Sequence, residues 1–204
     1  MRFNTPAIAA IQFALLACGG SGGTAPTPTL SINIANTTIV SGTSEQASAV
    51  LSDGSTPTGV TWSTTNSLIA AVNNGLITAT KKGVATITAT SGTRTSQVQV
   101  SVVPGPVVSV VVYSGNNQTG AIGSQLPAPL CTNVLDAAGN LIIGATVTYT
   151  VATGGGQLAS PTAPQTDPSG IATSGLWTLG SVSGDQTVTA TVGSANVVFT
   201  ATAH

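Results

Sequence analysis

The chain has 204 residues, 41% hydrophobic, 3% aromatic and only 4% charged, with 4 Lys and Arg against 5 Asp and Glu and a net charge of −1. So few, scattered cations cannot neutralise a run of phosphates, which excludes a nucleic-acid footprint and electrostatic attraction to an anionic membrane. Scarce charge goes with disorder only when hydrophobicity is low as well, and this composition instead leaves room for two domains of about 100 residues or fewer, each with a modest core.

Met1-Arg2 supplies a positive charge, Ala7 to Leu16 is apolar apart from Gln12, and Leu15-Leu16-Ala17-Cys18 sets a cysteine among small residues. This is the layout of a secretory signal. The apolar run is roughly half of the ~20 residues that a helix needs to cross a bilayer, so a spanning anchor is not expected. The stretch resembles a bacterial lipoprotein signal. The resemblance implies cleavage of residues 1–17, a diacylglycerol thioether on Cys18 and an acylated new amino terminus. The expected location follows: an exported protein of the bacterial cell envelope, on the outer membrane or cell surface, with the lipid on Cys18 as its membrane contact. Two or more acyl chains hold a protein stably where one does so only marginally. A plain secretory signal cut elsewhere, with Cys18 unmodified, is the alternative. Residues 18–28 are the lipidated Cys18 followed by Gly19 to Pro28, which hold only Gly, Ser, Thr, Ala and Pro, cannot form a core and read as a flexible tether of about 15 to 20 Å mean reach.

Residues 29–103 read as short strands separated by turn residues, as in a β-sandwich. Ala85, Ile87 and Ala89 alternate with Thr86, Thr88 and Thr90, and Val98, Val100 and Val102 with Gln97, Gln99 and Ser101, so one face of each strand goes to a core and the other to water. Asn73-Asn74-Gly75, between Ile69–Val72 and Leu76–Thr78, predicts a tight hairpin, because Asn and Gly tolerate positive φ. Gly59-Val60-Thr61-Trp62-Ser63, Ile69-Ala70-Ala71-Val72, Gly75-Leu76-Ile77-Thr78-Ala79 and Gly83-Val84-Ala85-Thr86-Ile87-Thr88-Ala89-Thr90, in that order, resemble the bacterial immunoglobulin-like group 2 domain. The resemblance implies an Ig-like sandwich on a bacterial surface protein and brings no catalytic residues.

Pro104-Gly105-Pro106 is a short, stiff linker (104–106), since proline restricts φ and removes a ladder donor. Residues 107–204 begin a second run of strands from Val107 to Tyr113. Leu130 through Asp136-Ala137-Ala138-Gly139-Asn140, Gly144 through Tyr149, Thr166-Asp167-Pro168-Ser169-Gly170-Ile171-Ala172, Leu179-Gly180 and Val188-Thr189-Ala190-Thr191 resemble the group 1 bacterial Ig-like domains of invasin and intimin stalks. An internal echo joins the halves: Ile87-Thr88-Ala89-Thr90 corresponds to Val188-Thr189-Ala190-Thr191, and Gly59–Trp62 loosely to Gly144–Tyr149. The expected fold class is therefore all-β, two tandem Ig-like sandwiches sharing one plan.

Reactive machinery is sparse. Nucleophilic catalysis needs a base beside the nucleophile, and the one histidine, His204, is the last residue. Asp136 and Asp167 are the best carboxylate pair, yet each opens a turn, Asp-Ala-Ala-Gly-Asn and Asp-Pro-Ser-Gly, that its side chain can cap. Calcium would need clustered oxygens, which Asp136, Asn140 and Asp167 supply only if the fold brings them together. Lys81-Lys82 reads as an exposed turn that deters edge pairing, and Gly154-Gly155-Gly156 as a flexible hairpin loop rather than a phosphate loop. Trp62 and Trp177 are core anchors, or sugar platforms if exposed. Cys131, in the strand Leu130–Leu135, is a lone, partly buried thiol once Cys18 carries lipid. No catalytic residue, metal ligand or cofactor is expected, and the sequence singles out no ligand-binding residue. The function expected is a non-enzymatic, lipid-anchored surface module for adhesion or binding to a cell, a glycan or an envelope polymer, through a cell-surface protein or carbohydrate ligand, or alternatively a purely structural stalk, spacer or assembly subunit with no ligand of its own.

Overall fold

The computed structural model describes residues 26–204; the signal segment, Cys18 and most of the tether lie outside them. The described residues form strands, turns and loops, with no helix among them. The first half comprises β1 (Leu30–Ile34), β2 (Thr38–Val40), β3 (Ser44–Leu51), β4 (Thr61–Thr64), β5 (Ala70–Asn73), β6 (Leu76–Ala79), β7 (Gly83–Ser91) and β8 (Arg94–Val103). These make two four-stranded sheets, ordered β1-β3-β6-β5 and β2-β8-β7-β4. In this order the chain reproduces an immunoglobulin sandwich. All pairings are antiparallel except β2 with β8, where the first edge is handed over to the second sheet.

The alternating Val and Thr residues account for both faces. Ala85, Ile87, Ala89, Val100 and Val102 are buried, with Ile39 at the edge of the same sheet, and Ala47, Ala70, Ile77 and Ala79 are buried on the other sheet. Burial of Ile77 and Ile87 contributes about 1.5–3 kcal/mol each. Asn74 and Gly75 form the two-residue β5–β6 loop with φ of 48° and 80°, the type I′ geometry that suits the twist of a hairpin.

The second half comprises β9 (Ser109–Ser114), β10 (Gln118–Gly120), β11 (Cys131–Leu135), β12 (Thr148–Thr153), β13 (Gln157–Leu158), β14 (Ile171–Thr173), β15 (Trp177–Thr178), β16 (Gly184–Val192) and β17 (Ala195–Ala203). Its sheets run β14-β11-β9 and β10-β17-β16-β12, with β13-β15 as a small annex. The parallel pair β10–β17 repeats β2–β8. The plan is thus shared, but the second core is filled by larger side chains: Trp177, Phe199, Tyr149, Leu126, Leu130 and Leu179.

Register makes the internal echo quantitative. The hairpins β7–β8 and β16–β17 close through Gly92-Thr93 and Gly193-Ser194, in which only the glycines have positive φ, 60° and 57°, as a type II′ turn requires. Counting back from these turns aligns Ala89 with Ala190. Trp62 pairs with Ala89, and Tyr149 with Ala190. Tyr149, not Trp177, therefore occupies in the second sandwich the place that Trp62 holds in the first.

Candidate functional site

The densest polar cluster lies where the two sandwiches meet, in the turn that follows β11. Asp136 opens that turn, and its backbone carbonyl accepts from Gly139 N–H at 3.0 Å with Gly139 at φ 74°. Its Oδ1 accepts from the Ala138 and Asn140 N–H groups at 2.9 and 2.8 Å, and its Oδ2 from Gly105 N–H and Asn140 Nδ2, both at 2.8 Å. A carboxylate offers about four lone-pair sites, so Asp136 is saturated by donors. Although burial pushes the carboxyl up, the bonds from the Asn140 side chain and from the Gly105, Asn140 and Ala138 backbones outweigh it and hold Asp136 at about 2.

Asn140 carries the contact across the junction. Its Oδ1 accepts from Lys82 N–H at 2.8 Å, while Nδ2 donates to Ser41 Oγ and Thr80 O, each at 3.0 Å. Ser41 Oγ in turn donates to Thr80 O at 2.5 Å, and Lys81 Nζ donates to the Ala138 carbonyl. Asp136 and Asn140 are 4% and 6% exposed, values typical of core residues rather than of a surface turn. The linker takes part as well, through Gly105 N–H on Asp136. This clasp has no precedent in the sequence reading, where Lys81-Lys82 is only a solvated turn. The available signal is the spare acceptor: capping its own turn uses one oxygen of Asp136 and leaves the other for a partner.

Asp167 offers the contrast. Its Oδ1 caps its own turn from Ser169 and Ile171 N–H at 2.8 and 3.0 Å, but the residue is exposed and reaches nothing beyond that turn. Asp136, Asn140 and Asp167 do not converge. Asp136 and Asn140 face N–H donors and backbone from the first sandwich, surroundings that suit a carboxylate rather than a cation. His204 is exposed, its backbone tied to Gly120 and Ile122 at the far end of the second sandwich.

The tryptophans part company. Trp177 is fully buried, and its Nε1 has no hydrogen-bond partner among the described residues. Trp62 is half-buried, packs against the first core and lines a groove of about 260 Å³ with Gln46, Ser48, Thr56 and Asn74. Tyr149 is buried with its hydroxyl on Thr132 Oγ1 at 2.9 Å and donating to Ala172 O at 2.8 Å; burial above all raises its phenol to about 12. Cys131 is buried and unpaired on the outer side of β11, with Sγ 3.5 Å from Thr173 Oγ1. Gly154–Gly156 is not a hairpin loop: β12 pairs with β16, β13 pairs with β15, and the loop carries the chain between them. A Cβ on Gly154 would meet the Gln186 side chain, and one on Gly156 would meet the backbone of Thr178 to Gly180, so the glycines serve close packing.

Residues 26–102 match the family described as Bacterial Ig-like domain (group 2). The matched span is that of the first sandwich. The match ends before the linker, and the second sandwich repeats the group 2 strand plan without falling within that span. No curated protein matches the chain. Among solved structures it is similar to FdeC, a broadly conserved Escherichia coli adhesin, with 18% identity and a TM-score of 0.49 over 85% of this chain and 63% of that one. It is also similar to the D00-D0 domain of intimin, at 14% identity and TM-score 0.46 over 84% and 96% of the two chains. A third, domains 4 and 5 of the S-layer protein SbsC, has 18% identity and TM-score 0.40 over 85% and 96%. The chain spans less than two thirds of FdeC.

Proposed function

We propose that the chain is a non-enzymatic module of the bacterial cell surface, held by lipid on Cys18, in which two Ig-like sandwiches are coupled end to end to stand a distal surface off the membrane. The observation that carries this reading is the buried Asp136–Asn140 clasp, which joins the second sandwich to Ser41, Thr80 and Lys82 of the first. A flexible pair of binding domains has no need of it. With each compact sandwich spanning about 35 Å, a coupled pair reaches about 70 Å beyond the tether. Saturation of Asp136 by hydrogen bonds, with Asp167 exposed and bonded within its own turn and His204 exposed, supports the non-enzymatic reading.

Two measurements test the proposal. Fractionation of cells is expected to place the wild-type chain with membranes and Cys18→Ser in the soluble fraction; retention of Cys18→Ser with membranes overturns the anchor. Pulsed dipolar spectroscopy between spin labels on the exposed Ser67 and Ser183 is expected to give one narrow distance distribution, and a broad one overturns the coupled stalk.

The groove beside Trp62 favours a second reading, adhesion to a neutral glycan. Amide and hydroxyl groups line it next to an aromatic ring, without a charged side chain. Retention of the chain on a neutral-glycan array, lost with Ser48→Arg, is the result expected on that reading. Absence of binding to glycans and whole cells leaves the stalk alone.

A further inference from the structure

The edge of a sheet is an unfinished hydrogen-bond ladder, and the two sandwiches finish equivalent edges differently. In the second, the outer edge of β12 is taken by the strap Thr162-Ala163-Pro164-Gln165-Thr166. Tyr149 N–H donates to Thr162 O at 2.8 Å and Val147 N–H to Pro164 O at 2.9 Å, with Thr146 bridged to Gln165 beyond them. The strap contributes carbonyls at both positions, so the N–H that Pro164 lacks is not needed there.

Trp62 stands where Tyr149 stands, which makes β4 the corresponding edge of the first sandwich. Thr65 N–H bonds to Thr86 O, and an antiparallel ladder bonds at alternate residues, so Thr61 and Ser63 face β7 while the N–H groups of Trp62 and Thr64 face outward. Among the described residues no group accepts from the N–H of Trp62 or of Val60, and the space beside both is the Trp62 groove.

We infer that this slot receives Thr24-Ala25-Pro26-Thr27 from the tether of a second copy of the chain. The segment repeats the Thr-Ala-Pro of the strap. In the strap's register Thr24 O accepts from Trp62 N–H and Pro26 O from Val60 N–H. Neither segment nor groove carries a charged side chain, so pairing desolvates no ion. The chain's own tether does not reach. Arg94 Nε holds Pro28 O beside β8 at 2.7 Å, and a strand outside β4 lies three strand spacings from β8, about 14 Å, whereas the two residues from Pro28 to Pro26 span about 7 Å at most. A neighbouring copy presents the segment at the right level, because Thr61 pairs with Thr90 next to the β7–β8 turn, the end of the sandwich at which Arg94 holds Pro28. On the anchored reading proposed above, on which this inference rests, arms and slots of all copies share one layer near the membrane. Co-anchoring then supplies the effective concentration that a four-residue contact needs. The groove is the one that the glycan reading fills with a sugar, and the strap in the equivalent place favours a peptide.

The test is disulfide trapping between two differently tagged full-length chains, both Cys131→Ser, co-expressed in the same cells. The register sets residue 25 opposite residue 61 as a pair without mutual hydrogen bonds, with Cα atoms about 4.5 Å apart, within reach of a disulfide. Ala25→Cys on one chain and Thr61→Cys on the other are expected to give a mixed disulfide at least about fivefold more abundant than Ala25→Cys with Asn33→Cys, an exposed site on the other sheet. Adding Thr24→Gly, Pro26→Gly and Thr27→Gly to the Ala25→Cys chain changes the arm and not the sandwich, and is expected to remove the excess. Equal yields at the two sites in membrane-bound chains overturn the inference alone. Loss of the excess with both chains in the soluble fraction overturns it together with the anchor. An excess that survives the three glycines also overturns it, and leaves the groove to the glycan reading.

Discussion

Substitution of Asn140 by Ala tests whether the clasp makes one mechanical unit of the two sandwiches. Three bonds of its side chain cross the junction, from Lys82 N–H at 2.8 Å and to Ser41 Oγ and Thr80 O at 3.0 Å each. A buried neutral hydrogen bond contributes about 1 kcal/mol net, and because the two Nδ2 protons are shared among Asp136 Oδ2, Ser41 Oγ and Thr80 O, Asn140→Ala removes about 2 kcal/mol of coupling. That is roughly thirtyfold in the ratio of docked to undocked sandwiches. Each sandwich has its own reporter, Trp62 or Trp177, which single-tryptophan variants isolate. Trp177→Phe deletes an indole N–H without a partner but leaves a cavity in the second core, so each Asn140→Ala variant is compared with its own single-tryptophan parent. With a urea slope of about 1–3 kcal/mol/M, the two fluorescence midpoints are expected to coincide in the wild-type background and to separate by about 1 M or more with Asn140→Ala. Midpoints that stay together in the variant would refute the argument, since the coupling would then reside elsewhere.

Asp136 makes the junction sensitive to acid. Held at about 2 when folded against an unfolded value near 3.9, the carboxylate stabilises the fold by about 2 kcal/mol above pH 4, and that contribution is lost as the pH falls from 4 to 2. Urea titrations in an Asp53→Asn background, which removes the carboxyl lowered by Ser55, are expected to show this loss, and Asp136→Asn is expected to abolish it. Tyr149→Phe leaves Ala172 O and Thr132 Oγ1 without the phenol and is expected to cost about 1–2 kcal/mol by chemical denaturation. Because the Tyr149 phenol is raised to about 12, the stability of the second sandwich is expected to be full below pH 10 and to decline between pH 10 and 12, which the Trp177 midpoint measures. Gly75→Ala combines φ of 80° with a Cβ placed against the Ala47 carbonyl and near Trp62, and a loss of about 1–3 kcal/mol is expected at the Trp62 reporter.

What was legible in the sequence was local. Period-two alternation marked β7, β8, β16 and β17 because a strand with one dry face repeats every second residue. The β5–β6 hairpin was readable from Asn74-Gly75, since few other residues adopt positive φ in succession. Pairing order was less accessible, and so was the role of each aromatic. Trp177 lies outside the strand that corresponds to that of Trp62, and only the shared register with Ala89 and Ala190 assigns that place to Tyr149. Gly154–Gly156 looked like a flexible loop because glycine permits both freedom and close approach, and the sequence does not distinguish them until Gln186 and Gly180 are seen against it.

Asp136 and Asp167 show why the candidate site stayed hidden. Both open turns, both use Oδ1 on N–H groups two and four residues ahead, and local chemistry treats them alike. They diverge at the second oxygen. Oδ2 of Asp136 finds Gly105, 31 positions back, and through Asn140 the turn reaches Ser41, 99 positions back. Contacts that long are dictated by how the linker orients one sandwich on the other, a property of no single segment. The same reasoning bears on design: a Pro-Gly-Pro linker restricts the approach, Gly105 supplies an N–H without a side chain to obstruct Ser41, and the Asp-Ala-Ala-Gly-Asn turn provides the matching acceptors. Those three local features are jointly required for coupling, so a chain with this turn but another residue at the Gly105 position is expected to have the cap without the clasp.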